Sequence, residues 1–99
     1  YDLRTRTPGH TDLERLARGM VGAQFWSVYI PGEPRSAPYA RRGRVASTPG
    51  YARVQLEQID VARQVIARHA DRLQLATRAA DVAAARRAGK IASFLGMEG

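Results

Sequence analysis

The stretch Gly89-Lys90-Ile91-Ala92-Ser93-Phe94-Leu95-Gly96-Met97-Glu98-Gly99 decides the reading of the fold. From Ile91 to Met97 only Ser93 is polar. A run of that length and character predicts a strand buried on both faces, as in the parallel sheet of an α/β protein. Glu98 follows directly. A carboxylate at the C-terminal tip of a parallel strand stands where α/β barrels and open α/β sheets place their chemistry. The plainer reading of Glu98 is an acidic residue that opens the next loop.

Working upstream, Asp81 to Ala88 is rich in alanine and reads as a helix that Gly89 closes. Leu73-Gln74-Leu75-Ala76 is a short strand or an extended connector. Before it, Val54, Ile59, Ala62, Val65 and Ile66 recur at helical spacings, which predicts a long helix from Thr48, with Pro49 at its first position, to about His69–Asp71. Val21 to Ile30 is the second strong strand, aromatic and β-branched, ended by Pro31-Gly32, with both faces expected to be covered. Thr11-Asp12-Leu13-Glu14 matches a capping box for a short helix that stops at Gly19, a residue suited to a left-handed turn. Tyr1 to Gly9 is an irregular lead-in. Helix, strand, long helix, short strand, helix, strand is the order of a parallel α/β sheet with right-handed crossovers.

Ninety-nine residues make one domain at most, or a piece of a larger one. The chain begins at Tyr1 without an initiator methionine, as expected of a segment from within a longer protein. The absence of cysteine excludes a disulfide framework and a thiolate zinc finger. It fits a reducing compartment, and with no basic-then-apolar leader and no run near the roughly 18 residues that span a bilayer, a cytoplasmic protein is expected. The net charge is +7, and only Lys90 among the sixteen basic residues is not arginine. Arg35, Arg41, Arg42, Arg44 and Arg53 lie in or beside the Pro/Gly/Ser-rich stretch 33–47, which reads as an exposed loop; the others are spread through helices among Asp and Glu. Solvated helix faces and a basic loop account for this pattern, so no nucleic acid is expected as a partner. A small basic α/β module that binds nucleic acid or an acidic partner through Arg35–Arg53 is the competing reading.

Five side-chain groups invite chemistry. His10-Thr11-Asp12 has the His-x-Asp spacing of a metal-ligand pair, but the residues before it form no barrel strand. The helix cap already accounts for Thr11 and Asp12, so capping and surface hydrogen bonding are the expected roles. His69 is expected to be exposed near the terminal carbonyls of its helix. Ser27 and Ser93 have no histidine nearby in sequence. Trp26 and Tyr29 are core by default, although Tyr29 lies close enough to its strand end to reach a pocket on the rim of Glu98. Glu98 is one plausible metal ligand, whereas a hydrolytic zinc site takes three or more.

Val21-Gly22-Ala23-Gln24-Phe25-Trp26-Ser27-Val28-Tyr29, Leu56-Glu57-Gln58-Ile59-Asp60-Val61 and the closing stretch from Gly89 to Gly99 together resemble the membrane (renal) dipeptidase family and its bacterial relatives. The blocks stand in the family's order. They cover nearly the whole chain apart from the Arg-rich loop, which resembles an insertion. The resemblance implies a (β/α)8 barrel (TIM barrel) of several hundred residues that hydrolyses dipeptides at a two-zinc centre. It implies that residues 1–99 are an N-terminal fragment of that barrel domain, early βα units only, with 33–47 as a flexible inserted loop.

Carried over, Glu98 matches the carboxylate that bridges the two zinc ions, and Tyr29 a tyrosine lining the substrate pocket. His10-Thr11-Asp12 corresponds to a segment that is not a ligand segment. The family's His-x-Asp strand, its two later zinc histidines and the Arg and Asp that grip the substrate have no counterpart in these residues. The implied partners are a dipeptide substrate and the remainder of the barrel, and the complete enzyme is compatible with a homodimer. Gly32 stands where some animal members have a disulfide cysteine, which agrees with a bacterial, non-disulfide form. The fragment alone is expected to be inactive, and a non-catalytic remnant is a further alternative.

Overall fold

A computed structural model describes residues 2–30 and 50–98. Three helices and three strands alternate in the expected order: α1 (Leu13–Arg18), β1 (Ala23–Tyr29), α2 (Tyr51–Arg68), β2 (Leu73–Leu75), α3 (Ala80–Arg87) and β3 (Ile91–Glu98). The helix start expected at Thr48 and Pro49, the loop 33–47 and its arginines lie outside the described residues; α2 begins at Tyr51 behind Gly50. Arg53 is described, and it pairs with Glu57 one turn along α2 at 3.1 Å.

All pairing is parallel, and the sheet order is β1-β3-β2. Sequential βα units would set β2 between its neighbours in the chain. Instead β2, three residues long, pairs only with Ile91, Ala92 and Ser93. That leaves β3 free to meet all of β1, from Ala23 opposite Ala92 to Tyr29 opposite Glu98. The two long strands are therefore direct neighbours, joined by a crossover that contains α2, β2 and α3. What results is a mixed α/β arrangement on a small parallel sheet.

Alternation along the strands assigns the two faces. On one face Ile91 and Leu95 of β3, Trp26 of β1 and Leu73 of β2 pack with Leu13 of α1 and Ile66 of α2. On the other, Ala92 and Phe94 pack with Ala85 and Val82 of α3 and with Ala76. Only the first residues of β3, Ile91 to Ser93, are covered from both sides. Further along, the second face is open. Phe25, Ser27 and Tyr29 are exposed there, so β1 is covered on one face and not on both as its composition predicts. The reason is reach, since α3 packs on β3 beside its N-terminal half and, among the described residues, no element covers the C-terminal half of this face.

Helix α3 runs one residue earlier than the expected Asp81 to Ala88, and both ends of α1 are shifted by one residue. Asp12, not Thr11, is the N-cap of α1, and its Oδ1 accepts from the Arg15 N–H at 2.8 Å. The third helical residue is then Arg15, whose guanidinium donates to Asp12 Oδ2 at 2.6 Å, a bond to the cap side chain and not the acceptance from the cap N–H that completes a capping box. Both contacts stabilise the anion, the backbone bond most, so the Asp12 carboxyl lies below its ordinary range. At the other end Gly19 has φ −76°, and the left-handed residue is Met20, φ 53°. Met20 N–H donates to Ala17 and Val21 N–H to Leu16, both at 3.0 Å, the paired bonds of a Schellman motif. Helix α3 ends in the same motif with Gly89, φ 67°, in that place, as its sequence predicts.

Candidate functional site

The C-terminal ends of β1 and β3 form the rim on which the sequence-predicted residues meet. Tyr29 and Glu98 are paired in register, and Ile30 N–H donates to the Glu98 carbonyl at 3.0 Å, continuing the ladder past the strand end. Side chains of paired residues in a parallel sheet stand on the same face, so Tyr29 and Glu98 project together from the open one. Both are exposed, Tyr29 by 56%. From below, Gln55 of α2 donates its Nε2 to the Val28 carbonyl at 3.0 Å and ties the first turns of that helix to the strand end. Glu98 is the last residue of β3 and not the first of a loop, which fixes its Cα in the sheet.

Ser27 also belongs to this rim. It stands on the open face two residues before Tyr29, and its Oγ donates to Glu98 Oε2 at 2.5 Å. Sequence reasoning considered Ser27 only beside a histidine. The signal for its true partner is the strand register, which no local pattern reveals. Among the described residues no basic side chain forms an ion pair with Glu98.

The remaining candidates lie elsewhere. His10 is exposed, while Asp12 is buried with both carboxylate oxygens engaged by Arg15, so Asp12 serves the helix cap. His69 is buried, 5% exposed, against the expectation of an exposed residue. It caps α2 beside the start of β2, and its carbonyl accepts from Leu73 N–H at 2.8 Å, so it stands at the end of the sheet away from Glu98. Its Nδ1 has no hydrogen-bond partner among the described residues. Ser93 is fully buried and donates to the Ile91 carbonyl at 3.3 Å. Trp26 is half-buried in the core.

Among the described residues no group of three His, Cys, Asp or Glu side chains is placed to hold a metal ion. The donor chemistry fits a contribution of one ligand: an exposed carboxylate, unpaired with any cation among the described residues, on a strand end that holds its backbone in place. Completing a zinc site takes further ligands from outside these residues.

The family model for membrane dipeptidases (peptidase family M19) matches residues 1–99. Three fungal relatives agree with it. The chain is 40% identical over 99 residues to the dipeptidase verJ of Clonostachys rogersoniana, covering 99% of this chain and 25% of that protein. It is 42% identical over 91 residues to the dipeptidase ataJ of Aspergillus terreus, covering 92% of this chain and 21% of the relative. To the dipeptidase tcpJ of Claviceps purpurea it is 37% identical over 91 residues, covering 92% and 20%. The chain thus spans a quarter or less of the length of these curated relatives.

Proposed function

The chain belongs to the membrane dipeptidase family, and from that premise we propose that the full-length protein hydrolyses the peptide bond of dipeptides at a two-zinc centre to which Glu98 contributes a carboxylate. Residues 1–99 then form early βα units of a (β/α)8 barrel, and 33–47 an insertion in it. The observation that supports this reading most is the pairing of Tyr29 with Glu98 on the C-terminal rim of a parallel sheet, the rim where βα barrels carry their active sites.

When bound, a pair of zinc ions supplies an activated water and polarises the scissile carbonyl. The chain's own residues bind and orient. Glu98 offers two acceptor oxygens on a backbone held by the ladder to β1, so a cation bound at this rim would meet a carboxylate whose backbone is already in place. Tyr29, beside it on the same face, presents a phenolic hydroxyl that both donates and accepts hydrogen bonds, suited to a polar group of the substrate.

The test is Glu98→Gln in the full-length protein, which keeps the shape and removes the charge. Zinc content falls below that of the unsubstituted protein, and kcat for dipeptide hydrolysis drops by at least about a hundredfold, as expected where a directly engaged charged group is lost. Unchanged zinc content together with unchanged turnover would overturn the assignment.

A further inference from the structure

We infer that Ser27 is a positioning residue for Glu98, fixing the orientation of its carboxylate on the rim through a hydrogen bond to one oxygen; this rests on the reading of Glu98 as a zinc ligand. Register makes the contact available. The residue opposite Ser27 on β3 is Gly96, which places no side chain on the open face. Glu98, two residues on and on the same face, can therefore lean back toward the hydroxyl, and Ser27 Oγ donates to Oε2 at 2.5 Å. A Cβ on Gly96 would approach nothing nearer than the Trp26 carbonyl at 4.0 Å, so the backbone itself is not crowded there.

Burial does not explain the contact. Ser27 and Glu98 are both exposed, and an exposed hydroxyl and carboxylate lose little by turning to water. The choice of partner is informative instead. An arginine or lysine would hold the carboxylate equally well but would compensate its charge and repel incoming cations. A serine hydroxyl restrains the orientation and leaves the full negative charge in place. Outer partners of this kind are what orient ligating carboxylates.

Zinc affinity of the full-length protein, stripped by a chelator and titrated with Zn²⁺ against a chromophoric competitor, is measured for the unsubstituted protein and for Glu98→Gln, Ser27→Ala and Ser27→Thr. Ser27→Ala weakens zinc binding by about 10- to 100-fold, the range seen when an outer-shell partner is lost, and alters the visible spectrum of the Co²⁺-substituted protein. Ser27→Thr, which keeps the hydroxyl, restores both, and the thermal melting of the metal-free protein is unchanged by either Ser27 substitution. Wild-type affinity in Ser27→Ala with weakened binding in Glu98→Gln overturns the role of Ser27 alone. Undiminished affinity in Glu98→Gln overturns the reading of Glu98 on which it rests. Failure of Ser27→Thr to restore affinity, or a metal-free Ser27→Ala protein that melts early, assigns the serine to structure and rejects the inference.

Discussion

Phe25 stacks on Phe94 with ring centroids 4.8 Å apart and planes 18° from parallel, yet Phe25 remains 69% exposed. The pair lies on the same face as Ser27, Tyr29 and Glu98; Phe94 also packs against α3, while the Phe25 ring stands open beside the polar rim, as it would on the proposed barrel interior before the remaining strands are added. The two readings of this face differ in energy. If it is interior in the full-length protein, Phe25→Ala costs about 3–5 kcal/mol, as truncation of a buried phenylalanine does. If it stays open to solvent, little beyond the stacking of an exposed aromatic pair is lost, about 0.5–1.5 kcal/mol. Urea unfolding of the full-length protein decides between them, and a loss in the lower range would count against the barrel.

The same face shows what the sequence discloses and what it withholds. Local patterns carried the elements: the helical recurrence through Ile66 and the turn at Gly89 are as read, and the run from Ile91 is a strand, but one buried on both faces only from Ile91 to Ser93 and not along its whole length. Glu98 could be placed on a strand end because strand length and polarity are local properties. The side of β1 that stays open was not legible, because it depends on how far α3 extends over the sheet. Nor was the bond from Ser27 to Glu98, a contact between residues 71 apart that register alone creates. His69 is different, since the signal was present: it lies three residues past Ile66 and four past Val65, on the apolar stripe of α2, where burial is the direct expectation.

The two Schellman turns make a matched comparison. Gly89 occupies the left-handed position after α3 at no steric cost, whereas Met20 holds the same position after α1 with its side chain 89% exposed and no packing to offset the strain. Met20→Gly is expected to stabilise the protein by up to about 1 kcal/mol, and Gly89→Ala to destabilise it by about 1–2 kcal/mol, because Cβ crowds the following carbonyl in this conformation. Thermal melting of the two variants checks both signs. A Met20→Gly protein less stable than its parent would show that Met20 makes contacts beyond the described residues.

Leu73 tests whether the three-residue strand matters. It is 2% exposed and packs with Leu13, Ile66 and Ile91, so one side chain joins α1, α2 and β3 to β2. Leu73→Ala is expected to cost about 2–5 kcal/mol by lost burial and the cavity left behind. Leu75, at the exposed end of the same strand, should tolerate the same change with about 0.5 kcal/mol or less. Denaturant midpoints for the pair give the answer, and equal effects at both positions would contradict the packing described.

The Arg4 guanidinium grips Asp71 with two parallel bonds, Nη1 to Oδ2 at 3.0 Å and Nη2 to Oδ1 at 2.7 Å, and so ties the lead-in to the turn between α2 and β2. Those bonds, reinforced by the charge of Arg4, lower the Asp71 carboxyl from its ordinary 3.8 to about 2. A depressed carboxylate favours the folded state above the unfolded pKa, and the contribution is lost as pH falls through the folded value. The stabilisation is therefore complete above about pH 4 and gone below about pH 2. Both side chains are about half exposed, so salt should weaken the pair. Carbon-detected NMR titration of the Asp71 carboxyl should give a midpoint near 2, and Arg4→Gln should return it toward 3.8. An unsubstituted protein that already titrates at 3.8 would mean that the two-bond pair does not persist in solution.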